Sequence, residues 1–136
     1  MSRLLGIDPG LRRIGLALSD EMGIIARPLK IIDRKVDNPL EIISNTVENW
    51  NVSAIVIGYP TPLKTKKNER TCQVDEFIKQ YLRPLGIPVE KISERYTTRQ
   101  AEQLARERGA KKAAGDDQAA ALILQYYINQ QRSDNP

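Results

Sequence analysis

Apolar positions along this chain change period several times, and each change marks an element. Arg3 to Ile7 is a short apolar run, Pro9-Gly10 supplies a turn, and Ile14, Leu16 and Leu18 then alternate with Gly15, Ala17 and Ser19. That is the pattern of two strands joined in a hairpin. Ile24 to Ile32 reads as a third strand, and Pro28 within it suits a sheet edge, because proline donates no ladder hydrogen bond. Asn38 then offers an N-cap, with Pro39 at the first helical position and Glu41 three residues after the cap. Leu40, Ile43, Val47 and Trp50 continue it at helical spacing. Ser53 to Gly58 carries Ala54-Ile55-Val56-Ile57, a continuous apolar run of the kind found in a strand covered on both faces.

After Tyr59-Pro60 and a basic loop to about Arg70, Val74, Phe77, Ile78, Tyr81 and Leu82 form the apolar stripe of a second helix, closed by Pro84 and Gly86. Pro88 to Ser93 is a short fifth strand with Glu94 at its end. Thr97 with Gln100 resembles a capping box and opens a helix to Gly109. After a basic turn over 110–115, Asp116 starts a last helix with Ala119, Ala120, Ile123 and Tyr127 on the face it shares. Strands that alternate with helices predict an α/β fold with a mixed sheet and helices on both faces. A single domain over 1–131 is expected, with a loose tail over 132–136, and no repeat or linker divides it.

Composition restricts the chemistry. The 136 residues include no histidine and one cysteine, Cys72. Serine-histidine triads, histidine acid/base pairs and His/Cys zinc sites are therefore excluded, and an enzyme built from this chain must use carboxylates, lysines or bound metal. No stretch approaches the ~20 apolar residues of a membrane span, the N-terminus carries no signal-peptide pattern, and a lone cysteine builds no disulfide framework. A cytoplasmic setting without membrane contact is the expectation. Net charge is +4, and it is unevenly spread. Lys64, Lys66, Lys67 and Arg70 form one basic knot, and Arg106, Arg108, Lys111 and Lys112 form another. Such knots suit either a solvated surface or contact with nucleic acid.

Three acids stand at element ends. Asp8 closes the first strand, Glu94 the fifth, and Asp116 opens the last helix. In sheets of this class ligands gather at the carboxyl ends of strands. Each acid also has an ordinary structural role open to it: Asp8 as a turn former, Glu94 as a partner of Arg95 or Arg99, Asp116 or Asp117 at the positive end of a helix dipole. Together they point to a metal site, since clustered carboxylates repel one another and a hard divalent cation with a preference for oxygen relieves that repulsion.

Gly6-Ile7-Asp8-Pro9-Gly10 with Arg13-Ile14-Gly15-Leu16-Ala17, then Gly58-Tyr59-Pro60, then Glu94-Arg95-Tyr96-Thr97-Thr98, then Asp116 with Ala119-Ala120 and Ile123-Leu124-Gln125 resembles the YqgF/RuvX family. Its members carry the name pre-16S rRNA nuclease and, earlier, Holliday junction resolvase. The resemblance spans nearly the whole chain. It implies a ribonuclease-H-like fold whose five-stranded sheet runs in the order 3-2-1-4-5, with the first three strands antiparallel. It also implies that Asp8, Glu94 and Asp116 are the catalytic, metal-binding acids, with Asp117 the next candidate, and that the metal is magnesium or manganese. Two departures stand out: Ser93 occupies a position that is often Asp in the family, and the loop after Pro60 carries Lys64, Lys66 and Lys67 where relatives are often rich in Asp and Gly.

The implied activity is metal-dependent endonucleolytic hydrolysis of phosphodiester bonds, most directly at the 5′ end of precursor 16S rRNA on an assembling ribosomal particle. The alternatives are a dimeric Holliday junction resolvase and a non-catalytic nucleic-acid-binding domain. Monomer and weak homodimer both remain open. Arg13, Lys64, Lys66, Lys67, Arg70, Arg95, Arg99, Lys111 and Lys112 are the expected nucleic-acid contacts. An actin-like phosphotransferase shares the Asp hairpin but needs a second lobe, for which 136 residues leave no room.

Overall fold

The computed structural model describes residues 2–60, 68–93 and 115–134. Within them the strands are β1 (Arg3–Pro9), β2 (Arg13–Ser19), β3 (Ala26–Asp33), β4 (Val52–Tyr59) and β5 (Val89–Ser93). The helices are α1 (Pro39–Asn49), α2 (Glu69–Phe77) and α3 (Asp116–Asp134). One sheet holds all five strands in the order β3-β2-β1-β4-β5. β1 pairs antiparallel with β2 and parallel with β4, β2 pairs antiparallel with β3, and β4 pairs parallel with β5. The order implied by the family resemblance is the one observed. The predicted helix over 97–109 falls outside the described residues.

Strand alternation divides the core in two. Leu5, Ile7, Ile14, Leu16, Ile55 and Ile57 point to one face, where Ile43 of α1 and Val74 and Phe77 of α2 cover them. The opposite face carries smaller residues. There Ala17 and Val56 lie beneath Ala120, Ile123, Leu124 and Ile128 of α3, and Ile92 packs against the same cluster. β2 is thus buried along both faces from Ile14 to Ser19. Of the residues expected on the packed face of the last helix, Ala120 and Ile123 are buried and Tyr127 is partly so, while Ala119 stands outside the cluster.

Local chemistry accounts for most boundaries. The Asn38 side chain accepts a hydrogen bond from the Glu41 amide at 3.3 Å and caps α1, as its sequence predicts. Asn68 caps α2 by exchanging side-chain and backbone bonds with Thr71, each at 2.9 Å. Pro28 does lie on an edge strand. The register with β2 shifts between Leu16 and Ala17, leaving Leu29 as an extra residue beside Pro28.

Three boundaries differ from expectation. Ile24 and Ile25 are not part of β3, because their amides donate to the Asp20 carboxylate at 2.7 and 3.1 Å and hold the chain in a loop. The second helix does not continue as α. It passes through a π turn over Ile78–Leu82 and a 3-10 turn over Arg83–Leu85, which keeps Ile78 and Leu82 buried as Pro84 approaches. The last helix runs to Asp134, past the point where a loose tail was expected. No described helix is long and apolar enough to cross a membrane.

The backbone amides of Ile24 and Ile25 lower the pKa of Asp20 from its ordinary 3.8, because they bond to the charged carboxylate. A lowered folded-state pKa contributes stability that is present above the unfolded value and is lost as pH falls through the folded one. Asp20→Ala is therefore expected to lower the melting temperature at pH 7, with the gap to the native chain narrowing once pH drops below about 3.8. Thermal denaturation at a series of pH values measures it. A gap independent of pH would assign the loop's stability to its backbone alone.

Candidate catalytic carboxylate site

Asp8 is held by the strand it ends. β1 extends through Asp8 to Pro9, past the end of its apolar run at Ile7, and Asp8 pairs with Gly15 of β2. Because side chains alternate along a strand, half-buried Asp8 shares its face with Leu4 and Gly6, the face that α3 covers. The strand ends line up. Ile7 pairs with Ile57 and Ile57 with Lys91, so Asp8, Gly58 and Ile92 each stand one residue beyond a common row at one rim of the sheet.

Gly15 brings the helix to that rim. A Cβ built on Gly15 would collide with the carbonyl of Asp116 and lie 2.9 Å from the amide nitrogen of Asp117. The first turn of α3 therefore rests directly on the β2 residue paired with Asp8. A second glycine repeats the device one helical turn along: a Cβ on Gly6 would lie 2.7 Å from Leu124 Cβ and 2.8 Å from the Ala120 carbonyl. Two strands without side chains at these points let a helix backbone approach far closer than an alanine would permit. Asp116 is half-buried there, and the carbonyl of Gly115 accepts from the Ala119 amide at 2.9 Å to begin the helix. Asp117 differs: its Oδ1 accepts from the Gln118 amide at 2.9 Å, within the same turn.

The turn after Asp8 is braced from two sides. Arg70, at the start of α2, donates through Nη2 to the Pro9 carbonyl at 2.8 Å. Arg34 donates through Nη1 to the Gly10 carbonyl at 3.2 Å, and its amide bonds to the Arg12 carbonyl at 2.8 Å. The Arg34 guanidinium also lies 5.8 Å from the ring centroids of Phe77 and Tyr81. At the end of β4, the Tyr59 hydroxyl donates to Asp75 at 3.1 Å, and Lys91 lies 3.4 Å from the same carboxylate and 4.6 Å from the Tyr59 ring centroid. This ties the ends of the two parallel strands to α2.

Of the predicted residues, the structure brings Asp8 and the Asp116 turn to one rim, with exposed Arg13 two residues before Gly15 on the same face of β2. Arg70 is present at the Asp8 turn, where it holds backbone. Glu94, Lys64, Lys66, Lys67, Arg95, Arg99, Lys111 and Lys112 lie outside the described residues. Among the described residues no group of three acidic or cysteine side chains gathers to hold a metal. The donor set of Asp8 and Asp116 is nonetheless all carboxylate oxygen, the kind that hard divalent cations take. Sequence reasoning missed Arg34 as a brace and Gly15 as a helix seat. Gly15 left a signal, a glycine where a strand pattern calls for a side chain.

A family profile described as RuvX, Holliday junction resolvase, matches residues 2–130. A protein of Sulfurihydrogenibium sp. named "Putative pre-16S rRNA nuclease" is 38% identical over 135 residues, covering 95% of this chain and 91% of its own. One of the same name from Dictyoglomus thermophilum is 36% identical, covering 97% and 99%. Among solved structures, Thermus thermophilus RuvC bound to a Holliday junction substrate aligns with a TM-score of 0.61 at 17% identity, over 97% of this chain and 96% of that one. The yeast mitochondrial Holliday junction resolvase Ydc2 aligns with a TM-score of 0.55 at 15% identity, over 96% and 79%. At these identities the structures show a shared ribonuclease-H-like fold.

The closeness of the helix seat gives a stability test. Gly15→Ala forces the first turn of α3 away from β2 and is expected to destabilise by about 1–3 kcal/mol, the usual cost of overpacking a close contact. Urea denaturation measures it, and an unchanged midpoint would contradict the contact described.

Proposed function

The chain belongs to the RuvX family, and from that membership and the Asp8 rim we propose that it is a divalent-metal-dependent endonuclease acting on the 5′ end of precursor 16S rRNA. One observation carries the reading beyond the family: the seat of the Asp116 turn on Gly15, which sets two acids from opposite ends of the chain around a single strand pair. A turn former alone does not require a helix N-terminus pressed against its partner residue. Asp8 and Asp116 would hold the cation, with Glu94, the first residue after β5, as the third acid. Magnesium fits the oxygen donors, and manganese is the close alternative. A cation so held supplies an activated water and charge neutralisation at the scissile phosphate.

The chain's own residues do the rest. The paired ladder and the Arg34 and Arg70 braces fix Asp8 before substrate arrives, so little ordering is left for the reaction itself. Arg13 stands on the same face to meet a phosphate oxygen. The remaining cations in this role are Lys64, Lys66, Lys67, Arg95, Arg99, Lys111 and Lys112, and they give affinity that falls with salt. The proposed setting is the cytoplasm, on an assembling ribosomal particle, with residues 1–131 acting as one nuclease domain.

Full-length relatives named for the rRNA reaction favour it over junction cleavage. The test is cleavage of a precursor 16S rRNA 5′ leader with and without magnesium, by the native chain and by Asp8→Asn. Cutting that needs the metal and disappears in the variant, with native melting and nucleic-acid binding retained, is the expected result. Normal cutting by Asp8→Asn would return Asp8 to turn formation. Paired symmetric cuts in four-way DNA by a dimer that leaves the leader intact would select the junction reaction instead.

A further inference from the structure

On the sheet face opposite α3, a groove of about 360 Å³ opens between the β1–β2 turn and α2. Leu11, 65% exposed, and buried Phe77 form apolar walls, and the Arg34 guanidinium forms a flat third side over the Phe77 ring. The rim is polar. Glu69, Gln73 and Glu76 on successive turns of α2, and Gln80 in the π turn, line it. Leu11 follows Asp8 by three residues, so no more than ~11 Å of chain separates them. A strand whose phosphate lies at Asp8 reaches the groove within one or two nucleotides.

Among the described residues that line the groove, the charges disfavour a phosphate. Two carboxylates face one guanidinium, and that guanidinium already donates to the Gly10 carbonyl. What fits is a flat, neutral group that brings N–H donors, since carboxylates only accept and the two amides do either. Unstacked bases are held in this way, against aromatic rings or arginine planes and by bonds to their Watson–Crick edges. Guanine matches best. Its N1–H and N2–H₂ lie side by side and pair with one carboxylate through two bonds, and its O6 accepts from a glutamine amide. Uracil carries one donor between two carbonyl oxygens, which carboxylates repel.

We propose that this groove reads an unstacked guanine of the substrate strand next to the cut, a specificity element that rests on the nuclease reading above. Cys72, the chain's single cysteine, is exposed and lines the groove, so its alkylation reports occupancy directly. Single-stranded RNA oligonucleotides of equal length, one containing guanine and one made of uracil, are titrated onto the protein. Fluorescence anisotropy follows binding, and iodoacetamide follows Cys72.

The guanine oligonucleotide is expected to slow alkylation severalfold while the uracil one does not. Glu76→Gln, an exposed change on α2, is expected to remove about tenfold of the guanine preference in affinity, the worth of one bidentate base contact, without altering melting. Equal binding with no protection of Cys72 overturns the base pocket and leaves the nuclease reading intact. Failure of both oligonucleotides to bind also overturns it, and leader cleavage then judges the nuclease reading separately. Protection that rises with protein concentration alone assigns the groove to a second copy of the chain, and this too overturns the proposal.

Discussion

The close seating of α3 on Gly6 and Gly15 is the contact on which the arrangement of this molecule depends. At both points the helix backbone occupies the space where a strand side chain would stand. The pleat then does the rest: the face that carries Gly6 also carries Asp8, so the helix that covers the glycines delivers its N-terminus to the acid. If the seat were wider, the Asp116 turn would move away from the β2 residue paired with Asp8.

The two faces of the sheet divide the work. One is built from large aliphatic side chains, Leu5, Ile7, Ile14, Leu16, Ile55 and Ile57, packed under α1 and α2. Close packing of such groups resists displacement, which keeps the strand ends in register. The other face uses glycine, alanine and valine to admit a helix at short range. The rim between them is stiffened by polar contacts, with Arg34 and Arg70 on the Asp8 turn and Tyr59, Asp75 and Lys91 on the parallel strands. A site of the kind proposed, which would hold acids against mutual repulsion, needs such support, because an acid free to swing away would do so.

In the proposed reading the substrate strand crosses this rim. Its phosphate lies on the carboxylate side and a neighbouring base turns down the α2 side, with the braced turn from Pro9 to Arg12 between them. Arg34 then serves both sides, since the same guanidinium that fixes the Gly10 carbonyl forms a side of the groove. This explains why an arginine is spent on a backbone carbonyl: its planar fork can bond at one edge and present a face at the same time.

Much of this was legible in the residues themselves. Strand alternation from Ile14 to Ser19, the Asn38 cap and the edge proline at Pro28 are local signals, because each depends on neighbours within one element. The family motifs carried the strand order and named Asp8, Glu94 and Asp116, which periodicity could not rank above other acids. Of the missed features, Arg70 turned to the Pro9 carbonyl and Arg34 set over Phe77 are contacts between distant segments, whereas Asp20 taking Ile24 and Ile25 out of β3 is a local side-chain-to-backbone bond that apolar periodicity does not register. The sequence by itself determined which elements form and which chemistry is possible, since propensity, capping and the absence of histidine act residue by residue. Only the tertiary structure decided that Gly15 is the seat of the last helix, because the need for a missing side chain arises from the backbone that comes to lie against it.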